Sequence, residues 1–187
     1  MHIDTTLYKG RPADATGRSA VEIACYDLLD QLGIDYGRID HDHADTIEDC
    51  LEIEGYLQAP IHKNLVLCNR QKTKFYLLIM EGEKPFRTKD LSKQIESSRL
   101  SFAPPEDMEC YLGVEPGSAT ILSLMNDREH QVTLLLDAPV LQCERFGCHP
   151  CKNTSTLSIA TTDLLSIFLP HLNREPIVVD LPDIREG

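Results

Sequence analysis

Two apolar runs, residues 64–69 and 74–80, are separated only by a short polar stretch around Arg70-Gln71-Lys72. This arrangement constrains the fold more than any other feature of the sequence. Runs of this length with a polar turn between them read as a β-hairpin, and both of its faces are apolar enough to be buried. Such a hairpin belongs at the centre of a sheet, and its antiparallel pair excludes a purely parallel one. One residue at its entrance is out of place: Lys63 stands just before Asn64-Leu65-Val66-Leu67-Cys68. A lysine ammonium is costly to bury, so it marks either a solvated strand end or a placed charge.

The flanking segments mix helical and extended periodicity. Ser19-Ala20-Val21-Glu22 has the form of a capping box, and Val21, Cys25, Leu28, Leu29 and Leu32 follow at helical spacing until Gly33 stops them. Residues 34–41 alternate weakly as a strand, and Thr46 caps a second helix running to about Tyr56. A short helix is expected over 88–96, and Pro104-Pro105-Glu106-Asp107 opens another that Gly113 ends. Residues 119–124, 132–137 and 156–160 predict strands. Thr162-Asp163 opens a helix over 164–169 closed by Pro170, and residues 177–181 predict an edge strand. The class is therefore α+β, a mixed β-sheet flanked by helices. With 187 residues, 42% of them apolar, a single domain over 1–187 is expected.

Composition narrows the function. The longest apolar runs, Leu134-Leu135-Leu136 and Ile177-Val178-Val179, fall far short of the roughly 18 residues of a membrane span, and the N-terminus has no signal-peptide pattern. No membrane partner and a cytoplasmic location follow as expectations. The net charge of -12 argues against a broad nucleic-acid face, DNA included, and is compatible only with a small local contact. Seven cysteines without an export signal read as reduced thiols.

The densest chemistry lies in Cys143-Glu144-Arg145-Phe146-Gly147-Cys148-His149-Pro150-Cys151. Zinc would ordinarily use two separated Cys-x-x-Cys arms, and only Cys148 to Cys151 forms one. The same four residues have the form of a redox motif, but they lie late in the chain and are not followed by a helical pattern. Thiols packed in a compact turn remain the plainer reading. His41 and His43 alternate with acidic residues at a strand end, which reads more simply as a solvated turn than as a metal site. Neither a Gly-x-Ser-x-Gly elbow nor a phosphate-cradling Gly-x-x-x-x-Gly-Lys loop is present.

Several segments, in order, resemble the YbaK/ProX family of trans-acting prolyl-tRNA editing proteins. They are the helix 21–32 with Gly33-Ile34-Asp35-Tyr36, Lys63-Asn64-Leu65, Tyr76-Leu77-Leu78, Leu100-Ser101-Phe102-Ala103, Leu112-Gly113-Val114-Glu115-Pro116-Gly117-Ser118, Asn126-Asp127, and His149-Pro150 with Asn153-Thr154. The resemblance covers about residues 17–170 and is closest to the branch that removes alanine wrongly attached to proline tRNA. It implies an aminoacyl-tRNA deacylase without metal or other cofactor, acting on the acceptor end of misacylated tRNA(Pro), with prolyl-tRNA synthetase as a further partner. Deacylation of cysteinyl or other aminoacyl-tRNA, or non-catalytic binding of an aminoacyl group or nucleotide, are the alternatives. By matching motif, Lys63 takes the catalytic place. Asn64, His149, Gly117, Ser118, Ala119 and Asn153 take substrate-binding places, with backbone N–H groups of 117–119 as an oxyanion site. The resemblance also implies that the substrate's own ribose hydroxyl helps activate water. One departure stands out: the family loop runs Gly-x-x-x-Pro, and here Gly117-Ser118-Ala119-Thr120 is followed by Ile121.

Overall fold

The computed structural model describes residues 1–186. The hairpin forms as expected: β3 (His62–Asn69) pairs antiparallel with β4 (Phe75–Glu81) in unbroken register from His62 opposite Glu81 to Cys68 opposite Phe75. It lies inside a five-stranded mixed sheet. β5 (Leu100–Phe102) pairs antiparallel with β3, β6 (Val132–Asp137) pairs parallel with β4, and β9 (Ile177–Val179) pairs parallel with β6.

A second sheet, fully antiparallel, adds β1 (Tyr8–Lys9), β2 (Tyr36–Asp40), β8 (Ser155–Ala160) and β7 (Arg145–Cys148) in that order. The α+β class stands, with two sheets where the sequence pattern predicts one. Around them pack α1 (Ala20–Gln31), α2 (Ile47–Leu57), α3 (Thr88–Gln94) and α4 (Pro105–Leu112). The caps are those the sequence announces: Ser19 accepts from the Glu22 N–H, Thr46 and Asp49 close a capping box, and Gly113 adopts the left-handed conformation that ends α4.

Three local expectations are corrected. Residues 119–124 are not a strand, because Thr120 caps a 3₁₀ turn (Ile121–Asn126) whose Ile121, Leu122 and Leu124 are buried. The cysteine cluster 143–151, expected to be a compact turn, contains β7 (Arg145–Cys148). The last helix does not stop at Pro170: α5 (Thr161–Asp163) passes through a π turn (Leu164–Phe168) into α6 (Leu169–His171). There the Leu169 N–H reaches the Leu164 carbonyl five residues back, which widens the turn just ahead of a proline that cannot donate.

Side-chain parity along β3 decides where the site sits. Val66 and Cys68 enter the core shared by the two sheets, whereas Leu65 and Leu67 pack on the opposite face with Leu91 of α3. The sheets join at the start of β3, where Ile61 bridges Gly147 in parallel and the Gly147 N–H donates to Pro60 O at 2.8 Å. A third, smaller cluster of Ile39, Ile53, Leu57 and Ile61 seats α2 over this junction. Among the described residues no helix is long and apolar enough to cross a membrane.

Candidate active site

A cleft of about 480 Å³ opens at this junction, between α2, the start of β3 and the turn after β4. Its wall includes Ile47, Leu51, Ile61, His62, Lys63 and Val140, so it is largely apolar with a few polar groups. Lys63 lies on the Leu65 face of β3 and its Nζ donates to the Lys84 carbonyl at 2.9 Å. That carbonyl is itself held in place, because the Lys84 ammonium is buried against Asp137 at 2.7 Å and the second Asp137 oxygen accepts from the Leu181 N–H. Burial, aided by the charge of Arg185, lowers the Lys63 pKa from its ordinary value.

Asn64 lies on the other face, as regular strand geometry requires. Its Nδ2 donates to the His62 carbonyl at 2.8 Å, and its Oδ1 is buried without a partner. Lys63 and Asn64 therefore do not point into one pocket, although the cleft wraps the end of the strand that carries both. His62 shares the Asn64 face and packs edge-on against Phe146, with centroids 4.4 Å apart.

The remaining predicted residues gather behind the cleft rim. The Asn153 side chain clamps the backbone of Ala44, accepting from its N–H at 3.3 Å and donating to its carbonyl at 2.8 Å, while the Asn153 N–H donates to Ser118 Oγ at 3.2 Å. Gly117, at φ 84°, lies so close to His43 that a Cβ would sit 3.4 Å from the ring. Ala44 is also on the cleft wall, so this clamp ties the 117–118 loop to the cleft without placing it inside. The Ser118 N–H donates to Glu115 O, so one of the three N–H groups expected to form an oxyanion site is already taken. Ile121, the departure from the family loop, is buried in the core and is not on the cleft wall. It occupies the first position of the 3₁₀ turn, a place that proline also suits.

His149 is buried, and burial holds its pKa at about 4. Its Nδ1–H donates to Ser155 O at 2.9 Å and lies 3.3 Å from Thr156 Oγ1, so Nε2 is the acceptor of the neutral ring. His41 completes the group. Its Nδ1–H donates to Asp42 O, its Nε2 accepts from Thr156 Oγ1 at 2.8 Å, and its ring centroid is 6.0 Å from that of His149.

The thiols divide in the same way. Cys148 and Cys151 are buried in the main core beside Cys25, and all three are free. Cys50 and Cys143 line the cleft, but burial pushes both thiols above their ordinary pKa. A thiol kept protonated is a poor nucleophile.

The aminoacyl-tRNA editing domain model matches residues 41–167, more than half of the chain and all of the cleft wall. The chain belongs to this family. Among its relatives, the prolyl-tRNA editing protein ProX of Acetoanaerobium sticklandii is 30% identical over 139 residues, covering 74% of this chain and 85% of that protein. The prolyl-tRNA synthetase associated domain-containing protein 1 of Mus musculus is 30% identical over 156 residues, covering 81% and 91%. A crystal structure of a candidate trans-editing enzyme for prolyl tRNA synthetase superposes with a TM-score of 0.65 at 16% identity, over 87% of this chain and 97% of that one, a likeness of fold.

Within this editing domain the sequence reading passed over His62, Glu54 and Glu83, all on the cleft wall. His62 was in view as the neighbour of Lys63, and the period-two rule alone puts it on the Asn64 face. What no sequence signal shows is that its ring finds no partner in the fold.

Proposed function

We propose that the protein is an aminoacyl-tRNA deacylase that hydrolyses the ester of misacylated tRNA(Pro), with alanyl-tRNA(Pro) as its substrate. The observation that carries the reading is Lys63, held on the wall of a cleft large enough for an aminoacyl group together with part of the terminal nucleoside. In this reading its fixed ammonium meets the terminal phosphate or the oxyanion that develops when water attacks the ester. An aminoacyl ester is already activated, so positioning and charge suffice. Cys50 and Cys143, protonated, leave the attack to water rather than to a thiolate.

A synthetase pocket shaped for proline rejects the smaller alanine by only about 1–3 kcal/mol of lost apolar contact, so a second hydrolytic site has work to do. Such a site would act where tRNA is charged, on the acceptor end, in company with prolyl-tRNA synthetase. The test is deacylation of alanyl-, cysteinyl- and seryl-tRNA(Pro). The alanyl ester should be cleaved fastest, and Lys63→Ala should reduce that rate on the order of 100-fold without changing the melting temperature. Rates no higher than in buffer for all three esters would remove the deacylase reading.

A further inference from the structure

Lys63 forms no ion pair among the described residues, and its ammonium is held by a neutral group, the Lys84 carbonyl. Yet acids share its wall. Of Asp45, Glu54, Glu81 and Glu83, all lining the cleft, Glu81 at the end of β4 is the one whose charge bears on Lys63, favouring its protonated form. Left unpaired, that carboxylate would cancel much of the field with which Lys63 meets an anionic group. It is not left unpaired: Arg185 Nη2 donates to Glu81 Oε1 at 2.9 Å.

Arg185 belongs to a segment that follows β9, beyond residue 167 where the editing-domain match ends. Two anchors set the course of this segment. The Gln94 side chain donates to the Asp180 carbonyl at 2.6 Å and accepts from the Asp180 N–H at 2.8 Å. One residue further, Leu181 is buried and its N–H donates to Asp137 Oδ1 at 2.9 Å. The other Asp137 oxygen takes the Lys84 ammonium, so one buried carboxylate fixes both the turn that holds Lys63 and the segment that carries Arg185. A 3₁₀ turn (Ile184–Glu186) then brings Arg185 to the end of β4, where Asp183 accepts from its Nε at 2.9 Å and orients the guanidinium. With side chains 38% and 44% exposed, the Arg185–Glu81 pair adds little to stability. What it can change is the charge beside Lys63.

We propose that Arg185 is a positioning residue for the candidate active site: it takes up the charge of Glu81, so that Lys63 presents its ammonium uncancelled to the phosphate or oxyanion of the substrate. The inference rests on the deacylase reading for what Lys63 meets. Arg185 is not itself on the cleft wall, and it acts through Glu81. Its removal would leave the Glu81 carboxylate free to oppose an incoming anion and to hold the Lys63 charge to itself. Removal of both side-chain charges would leave the net charge around Lys63 as it is in the parent.

The test is a double-mutant cycle on the full chain with two readouts. Arg185→Gln should lower kcat/KM for alanyl-tRNA(Pro) about fivefold, and adding Glu81→Gln to it should bring the value back to within about twofold of the parent. In the free protein, NMR titration of the Lys63 Cε and Nζ signals should place its midpoint at higher pH in Arg185→Gln, which loses a like charge and unmasks an opposite one. The midpoint should return towards the parental value in the double variant. Equal losses of kcat/KM in the single and double variants would make Arg185 a direct contact or a structural support and overturn the proposal. A parental rate in Arg185→Gln overturns it as well, and so does an unmoved Lys63 midpoint, whatever the activity. If no aminoacyl-tRNA is hydrolysed while the midpoints shift as expected, the charge balance around Lys63 stands and the deacylase reading alone falls.

Discussion

His62 holds its depressed pKa of about 4 only in the folded chain; unfolded, the ring titrates near its ordinary value of 6.5. Between those values the unfolded state binds more protons, so stability must fall as the pH is lowered from 6.5 towards 4 and stay reduced below that. For one such ring the loss at pH 5 is about 2 kcal/mol. His149 acts in the same direction for the same reason, burial. The two can be separated. His62→Leu removes one titrating group from a wall that is already apolar. Its stability by urea denaturation should therefore gain about 2 kcal/mol on the parent between pH 7 and pH 5. An unchanged difference would show that the ring is hydrated or paired in solution. At this scale Lys63 was legible, because a cation before an apolar strand is anomalous on its face. His62 was not, because what distinguishes it is the partners it lacks.

The site exists because two elements meet at one point, the start of β3 and the middle of β7. Only glycine allows that approach: a Cβ on Gly147 would sit 2.6 Å from Pro60 O and 3.0 Å from Ile61 Cγ1. The backbone oxygen cannot step aside without drawing the start of β3 away from the second sheet. Gly147→Ala should therefore destabilise the fold by roughly 1–3 kcal/mol and also lower turnover, because His62 and Lys63 follow directly after Ile61. Paired measurements of denaturation midpoint and deacylation would check this. Full stability together with full activity would mean that the junction yields more readily than its geometry suggests.

The same element-scale view explains what the sequence could convey. Capped amphipathic helices and the central hairpin announce themselves through local period and end signals, and they form where expected. β7 was hidden among cysteines and a glycine that read as chemistry rather than as a strand. Residues 119–124 have a strand's apolar content, but their backbone is turned by the Thr120 cap, a local hydrogen bond that competes with extension. The division into two sheets depends on pairings between segments as distant as β2 and β8, which no local pattern records.

For the whole molecule, a net charge of -12 has to be reconciled with a polyanionic substrate. Wide contact with a tRNA body would bring many phosphates against a surface that repels them, so binding must be confined to the chain end that reaches the cleft. There Lys63 is a cation of the cleft wall available to a terminal phosphate. Counterion release measures how many phosphates are engaged. For contact with one or two phosphates of a single-stranded end, the slope of log K against log salt is about -0.7 to -1.4. Raising monovalent salt from 50 to 200 mM should then increase KM for alanyl-tRNA(Pro) only about three- to sevenfold. A shortened acceptor-end mimic should show the same dependence as full tRNA. A loss of a hundredfold or more for the full tRNA, absent from the mimic, would reveal a phosphate-binding surface away from the cleft and would contradict recognition through the aminoacylated end alone.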